Sequence, residues 1–177
     1  MYEVIDNYDR YSEAGLDKVI SLILFYGANI NMKKHTLCDD NAIHHVFWKW
    51  RDSDFVKEAI RILLAHGIDV NGKNNNGNTA LHVILMNYSY GLASRMMDII
   101  KILLDHGADV NLQNCYGNTV LHEASSNPTF NVLNVIDVVK ILLNYGSDRT
   151  IVNNPGDTAM AIAERDSSDE LKKLLAE

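Results

Sequence analysis

The stretch ILLDHGADVN, residues 102–111, decides the fold, because the chain writes it four times. LILFYGANIN (22–31), ILLAHGIDVN (62–71) and ILLNYGSDRT (141–150) align with it without a gap. Their glycines, Gly27, Gly67, Gly107 and Gly146, stand 40, 40 and 39 residues apart. A second phrase follows each later glycine after a short polar run: NGNTALH (76–82), YGNTVLH (116–122) and PGDTAMA (155–161), with a degenerate copy, DDNAIHH, at 39–45. Two phrases recurring at one period specify a repeat architecture with little one-piece core.

Working outward from the glycines, each is preceded by apolar pairs around one often polar residue. Examples are Ile62-Leu63-Leu64 after Arg61 and Ile102-Leu103-Leu104 after Lys101. That spacing gives the i, i+3, i+4 stripe of an amphipathic helix. A glycine then ends the helix, because the residue after the last turn commonly adopts a left-handed conformation. Polar runs such as Asn71–Gly77 carry tight-turn chemistry. Thr79, Thr119 and Thr158 stand just before apolar runs, where a hydroxyl can bond the free amides of a helix start. The unit is therefore turn, helix, connection, helix, glycine stop. Neither helix can bury its stripe alone, and stacking neighbouring units supplies the core.

The rest of the composition bounds the function. The 177 residues are 47% apolar and 22% charged, ordinary for a folded protein, with a net charge of −7. Sixteen Lys+Arg in an acidic chain leave no footprint for a phosphate backbone, so nucleic acid is not an expected partner. No apolar stretch reaches the roughly 18 residues a membrane span needs, and the N-terminus has no basic segment followed by an apolar run. A cytoplasmic protein without a membrane partner is expected, and a monomer. Nineteen asparagines against two prolines fit a chain of turns and caps. Asn31, Asn71, Asn78, Asn111 and Asn118 fall at recurring hairpin positions, while Asn131, Asn134 and Asn144 are read as genome bias.

The phrases resemble the ankyrin repeat, whose signature is a T-P-L-H-x-A helix start and a G-A-D-V-N helix exit. Gly107-Ala108-Asp109-Val110-Asn111 matches the exit fully; Thr79-Ala80-Leu81-His82 and Thr119-Val120-Leu121-His122 match the start except at proline. The resemblance implies an all-α ankyrin-repeat solenoid of helix-turn-helix units joined by short β-hairpin-like turns. Residues 1–177 are expected to form a single repeat domain: a divergent first unit (1–33), full units 34–73, 74–113 and 114–153, and a closing cap (154–177). The cap's Glu170, Lys172 and Lys173 give it the charged outer face that a terminal unit requires. Against the usual ankyrin period of about 33 residues, the surplus is expected between the two helices of a unit, at 86–95 and 125–131.

No catalytic constellation stands out. His44, His66, His82, His106 and His122 recur at repeat positions, and neighbouring units lie roughly 8–10 Å apart, too far to share one zinc with ligands near 2 Å. The resemblance implies that the histidine after Leu in the helix-start phrase bonds hairpin to helix. Cys38 and Cys115 lie two units apart, about 20 Å by the same spacing, beyond disulfide reach. No cofactor, metal or enzymatic activity is expected. The expected function is binding of a protein partner on the concave face. Trp48, Lys49 and Trp50, at the end of an inner helix, are the leading candidates, since Trp and Arg dominate interface hot spots and an i, i+2 aromatic pair cannot wholly face one core. Met86, Asn87, Tyr88 and Ser126 continue that row, and Asn75, Asn76, Asn78, Tyr116 and Asn118 supply a row of turn tips. Long units, Asn/Ile-rich composition and missing prolines are similar to the ankyrin proteins of poxviruses. Those proteins act in the host cytoplasm on immune signalling or ubiquitin-ligase machinery, many through a C-terminal F-box-like segment that is not expected here after Glu170. The alternative is a tethering segment of a larger protein.

Overall fold

The computed structural model describes residues 3, 5, 13–33, 40–50, 55–86, 93–126, 132–166 and 169–176. Among them are helices and turns and no strand. They group into two compact units, Met1–Asn75 and Asn76–Glu177.

In the first unit, α1 (Glu13–Phe25) and α3 (Phe55–Ala65) end on the glycine phrase, and α2 (Ala42–Trp50) carries DDNAIHH. Helix α3 packs on both α1 and α2. Leu16 and Ile20 of α1, Ile43, Val46 and Phe47 of α2, and Val56, Ile60 and Leu63 of α3 are buried.

In the second unit the helices alternate short and long. The inner helices are α4 (Ala80–Met86), α6 (Val120–Ser126) and α8 (Ala159–Asp166). The outer helices are α5 (Ala93–Asp105), α7 (Val132–Asn144) and α9 (Asp169–Ala176). Helix α6 packs on α4 and on α8, each inner helix meets its own outer helix, and α9 also packs on α7. A helix of seven residues is too short to persist alone in water; α4 persists because Ala80 through Leu85 are all buried.

The glycine stops form as the sequence requires. Gly27, Gly67, Gly107 and Gly146 have φ between 79° and 87°. Each closes the same pair of bonds: Gly107 N–H donates to Leu104 O at 3.0 Å and Ala108 N–H to Leu103 O at 3.1 Å. This Schellman pattern satisfies carbonyls that the helix end would otherwise strand.

Part of the expected inter-helix surplus is helical. Met86 ends α4, Ala93–Arg95 open α5, which reaches 13 residues, and Ser125 and Ser126 end α6. Ala93 and Arg95 are good helix formers, and nothing in them opposes extension of α5 toward its N-terminus. The remaining positions, 87–92 and 127–131, lie outside the described residues.

Candidate protein-docking face

The hairpins that carry the turn-tip residues are built by two ladders of asparagine. Asn114 accepts the Tyr116 and Asn118 amides through Oδ1, at 3.0 and 3.1 Å. Its Nδ2 donates to Asn78 Oδ1 and to Glu123 Oε1, both at 3.0 Å. One unit on, Asn153 repeats the pattern: Oδ1 accepts the Asp157 amide at 2.9 Å and Nδ2 donates to Asn118 Oδ1 at 3.0 Å. Successive tips are also joined by backbone, Cys115 N–H to Asn76 O at 2.9 Å and Asn154 N–H to Tyr116 O at 3.0 Å. Backbone approaches so closely that a Cβ on Gly117 would meet Asn154 N at 2.6 Å, and one on Gly77 would meet Cys115 N at 2.8 Å.

Further along, Asn111 Oδ1 accepts the Asp148 amide at 2.8 Å, as Asn31 Oδ1 accepts that of Asp69 at 2.6 Å in the first unit. Recurring asparagines are thus the links from one repeat to the next. An amide side chain offers acceptor and donor together, so one residue closes its own turn and bonds its neighbour.

His82 and His122 fix α4 and α6 to the hairpin that follows each. His122 Nε2 lies 3.1 Å from Asp157 O, and a carbonyl only accepts, so Nε2 carries the proton. Nδ1 then accepts from Thr119, whose Oγ1 is 2.8 Å away and whose N–H is 3.1 Å away. His82 repeats this with Thr79 Oγ1 at 2.9 Å and Asn118 O at 3.0 Å. Burial holds His122 below the usual imidazole range, opposed by its bond to the Asp157 carbonyl and by the nearby Glu123 charge. The expected hydroxyl-to-amide cap therefore occurs at Thr158 alone of the three threonines, where Oγ1 accepts from Ala161 N–H at 3.2 Å. There the histidine position is occupied by Ala161, and the hydroxyl turns to the helix instead. Asn41 stands in for threonine before His44; its Oδ1 accepts the Ile43 and His44 amides at 3.0 and 3.1 Å. Among the described residues no group of three or more His, Cys, Asp or Glu side chains is arranged to hold a metal, and no helix is long and apolar enough to cross a membrane.

On this frame the candidate residues divide. The position four residues after His44, His82, His122 and Ala161 is open in every copy: Trp48 and Met86 are half-exposed, and Ser126 and Arg165 are exposed. Trp48 packs edge-on against the buried Phe47, with ring centroids 6.2 Å apart. Lys49 and Trp50 lie in α2, but their side chains fall outside the described residues, as do Asn87 and Tyr88 entirely. At the tips, Asn75 and Asn76 are exposed, and Tyr116 is 62% exposed. Asn78 is a correction: it is buried, with Oδ1 held by Asn114, because it is the first strut of the ladder rather than a tip. Asn118 is half-buried and bonds Glu123 Oε1 at 3.0 Å.

Two residues of the face escape a reading of the sequence. Arg165 occupies the Trp48 position in the closing unit and pairs with Asp157 at 2.7 Å; counting four residues on from the end of the phrase PGDTAMA would have found it. Glu123 is buried beneath the tips, at the position held by Val83 in α4, and no motif announces it.

Comparison with known proteins agrees with this architecture. A family model described as Ankyrin repeats (3 copies) matches residues 90–153, and one described as Ankyrin repeats (many copies) matches residues 53–90. Together they span 53–153, or 101 of 177 residues. Over 72 residues the chain is also 35% identical to a probable serine/threonine-protein kinase of Dictyostelium discoideum. That match takes in 40% of this chain and 8% of the relative's length. The chain belongs to the ankyrin repeat family.

Proposed function

We propose that the chain is a non-enzymatic module that binds a partner protein through the open ends of its inner helices and its hairpin tips. Ankyrin repeats generally mediate protein–protein interaction, which supports the coarse reading. The observation that carries the finer one is the position shared by Trp48 and Met86. Each lies in an inner helix whose other described apolar residues are buried, and each leaves a large apolar side chain half-exposed. Large side chains of this kind anchor interfaces when a partner desolvates them. Long units with few prolines, similar to poxvirus ankyrin proteins, support a partner in host immune signalling or the ubiquitin-ligase machinery, met in the cytoplasm.

The test is affinity capture from host-cell lysate with the wild-type chain and a Trp48→Ala, Trp50→Ala, Met86→Ala, Tyr116→Ala variant side by side. Capture of the specific partner should fall at least tenfold while helical circular dichroism stays unchanged, since anchor residues contribute about 2 kcal/mol or more each. Equal capture by both proteins would remove these residues from the interface. The likeness to a short block of a much larger protein favours a second reading, a tethering segment within a longer chain. In that case the wild-type repeats capture nothing that the variant does not.

A further inference from the structure

Counted back from their double leucine, the outer helices share one frame. Glu170 of α9 stands where α3, α5 and α7 carry Ala59, Ile99 and Val138, and Lys173 stands where they carry Ile62, Ile102 and Ile141. Ala59, Ile99 and Val138 are fully buried, and Ile62 and Ile102 are buried. Helix α9 thus keeps Leu171, Leu174 and Leu175 of the apolar stripe and exchanges two of its members for charges.

Those two positions face α7. Helix α9 packs on α7, yet a groove of about 230 Å³ remains between them, lined by Ile136 and Lys140 from α7 and by Glu170, Lys173 and Leu174 from α9. Both walls belong to the described chain, so the gap is a property of this seam. Ile136 is buried and Leu174 half-buried, and they form an apolar floor; Lys140, Glu170 and Lys173 are exposed and form the rim. Lys172, in the same helix but off the groove, reaches Asp169 at 3.4 Å. Among the described residues, Lys140, Glu170 and Lys173 make no ion pair or hydrogen bond.

We propose that this groove docks a segment of a partner protein in which an aspartate or glutamate adjoins one large apolar side chain. The groove belongs to the outer helices, so it does not rest on the reading given for the inner-helix ends and hairpin tips. Its volume sets the size of the anchor. Sites for whole small ligands begin near about 300 Å³, so about 230 Å³ takes one side chain of leucine or phenylalanine size on Ile136 and Leu174. The rim sets the charge. Two ammonium groups stand against one carboxylate, a net positive rim on a chain whose net charge is −7. A carboxylate beside the anchor completes the pairs that Lys140 and Lys173 lack, in a partly desolvated seam where such pairing counts for more than on open surface. Nucleic acid fits less well, because two lysines neutralise too few phosphates for tight binding and Glu170 repels them.

Fluorescence anisotropy of a labelled peptide alternating glutamate and leucine, titrated with the full chain, tests the proposal. Saturable binding is expected. Reversing both lysines, Lys140→Glu with Lys173→Glu, should weaken it about tenfold or more, and Glu170→Lys should strengthen it. Lys140→Gln with Lys173→Gln removes the charges without adding repulsion and should also weaken it. Lys172→Glu changes the net charge as much as Lys173→Glu does but lies off the groove, and should leave binding nearly unaltered at physiological salt. A glutamate–serine peptide, which lacks the anchor, should bind far more weakly. Lys140, Glu170 and Lys173 are exposed, so helical circular dichroism should be unchanged in their variants. Absence of saturable binding, equal losses from Lys172→Glu and Lys173→Glu, or equal binding of the glutamate–serine peptide would overturn the proposal. So would a lysine–leucine peptide or a single-stranded oligonucleotide that binds as well as the glutamate–leucine peptide.

Discussion

The two compact units use one repeated phrase under different conditions. In Asn76–Glu177 the hairpins follow one another, and side-chain amides join each turn to the next: Asn114 on Asn78, Asn153 on Asn118, Asn154 on the Cys115 carbonyl. In Met1–Asn75 the first copy of the phrase leaves Leu22, Phe25 and Tyr26 exposed. The helix-start phrase differs as well. Thr79 and Thr119 place a hydroxyl against the histidine Nδ1, where Asn41 places an amide oxygen 2.7 Å from His44 Nδ1; in all three the backbone N–H of that residue also faces Nδ1. The same local sequence pattern thus has no fixed energetic value. Its worth is set by the neighbour that completes it.

The glycines test that statement with the largest expected effect. Gly27 and Gly117 both have positive φ, 87° and 75°, yet a Cβ on Gly27 meets nothing within 4 Å, while one on Gly117 meets Asn154 N at 2.6 Å. Gly27→Ala should cost only the left-handed strain, about 1–2 kcal/mol. Gly117→Ala adds a backbone collision and should cost about 3 kcal/mol or more, read as the shift in urea midpoint. Equal losses would mean that the hairpins are not held as tightly as their ladder implies.

Asparagines sharpen the comparison at a smaller scale. Asn114→Ala removes the acceptor for two part-buried turn amides and the buried donor to Asn78 and Glu123, so about 2 kcal/mol or more should be lost. Asn31→Ala removes an exposed bond to Asp69 N–H that water can replace, and should cost about 1 kcal/mol or less.

The smallest expected effect is on pH. His122 has a folded-state value below its ordinary 6.5, so the unfolded chain takes up its proton first as pH falls. Stability should be constant above about pH 6.5 and decline below it, as protonation sets Nδ1 against the Thr119 donors. Urea titrations at stepped pH should show that decline reduced in His122→Gln. An undiminished decline in that variant would assign the acid sensitivity elsewhere.

Much of this fold is legible residue by residue. The helix stops at Gly27, Gly67, Gly107 and Gly146 follow from local chemistry, since only a left-handed residue closes the Schellman bonds there. The period and the inner and outer helices follow from the 3.6-residue stripe. Recurring asparagines at 31, 111 and 118 were readable as hairpin residues, though not as inter-repeat struts, because a bond between residues 36 apart leaves no local mark. Asn78 looked like a turn tip for the same reason. Of the candidate docking residues, the exposure of Met86 and Tyr116 follows from register, as does that of Arg165, whereas the buried Glu123 required the stack to be seen.

The sequence by itself determined that this protein is a row of helix pairs with glycine stops, because caps, stripes and turns depend on residues within one turn of each other. Which apolar side chains are sealed and which stay exposed was settled by the packing of helix on helix. Leu22 and Ile62 belong to the same phrase and the same helix face, and they differ only in whether another helix lies against them. Burial is a property of the neighbour, and no pattern within the phrase encodes it.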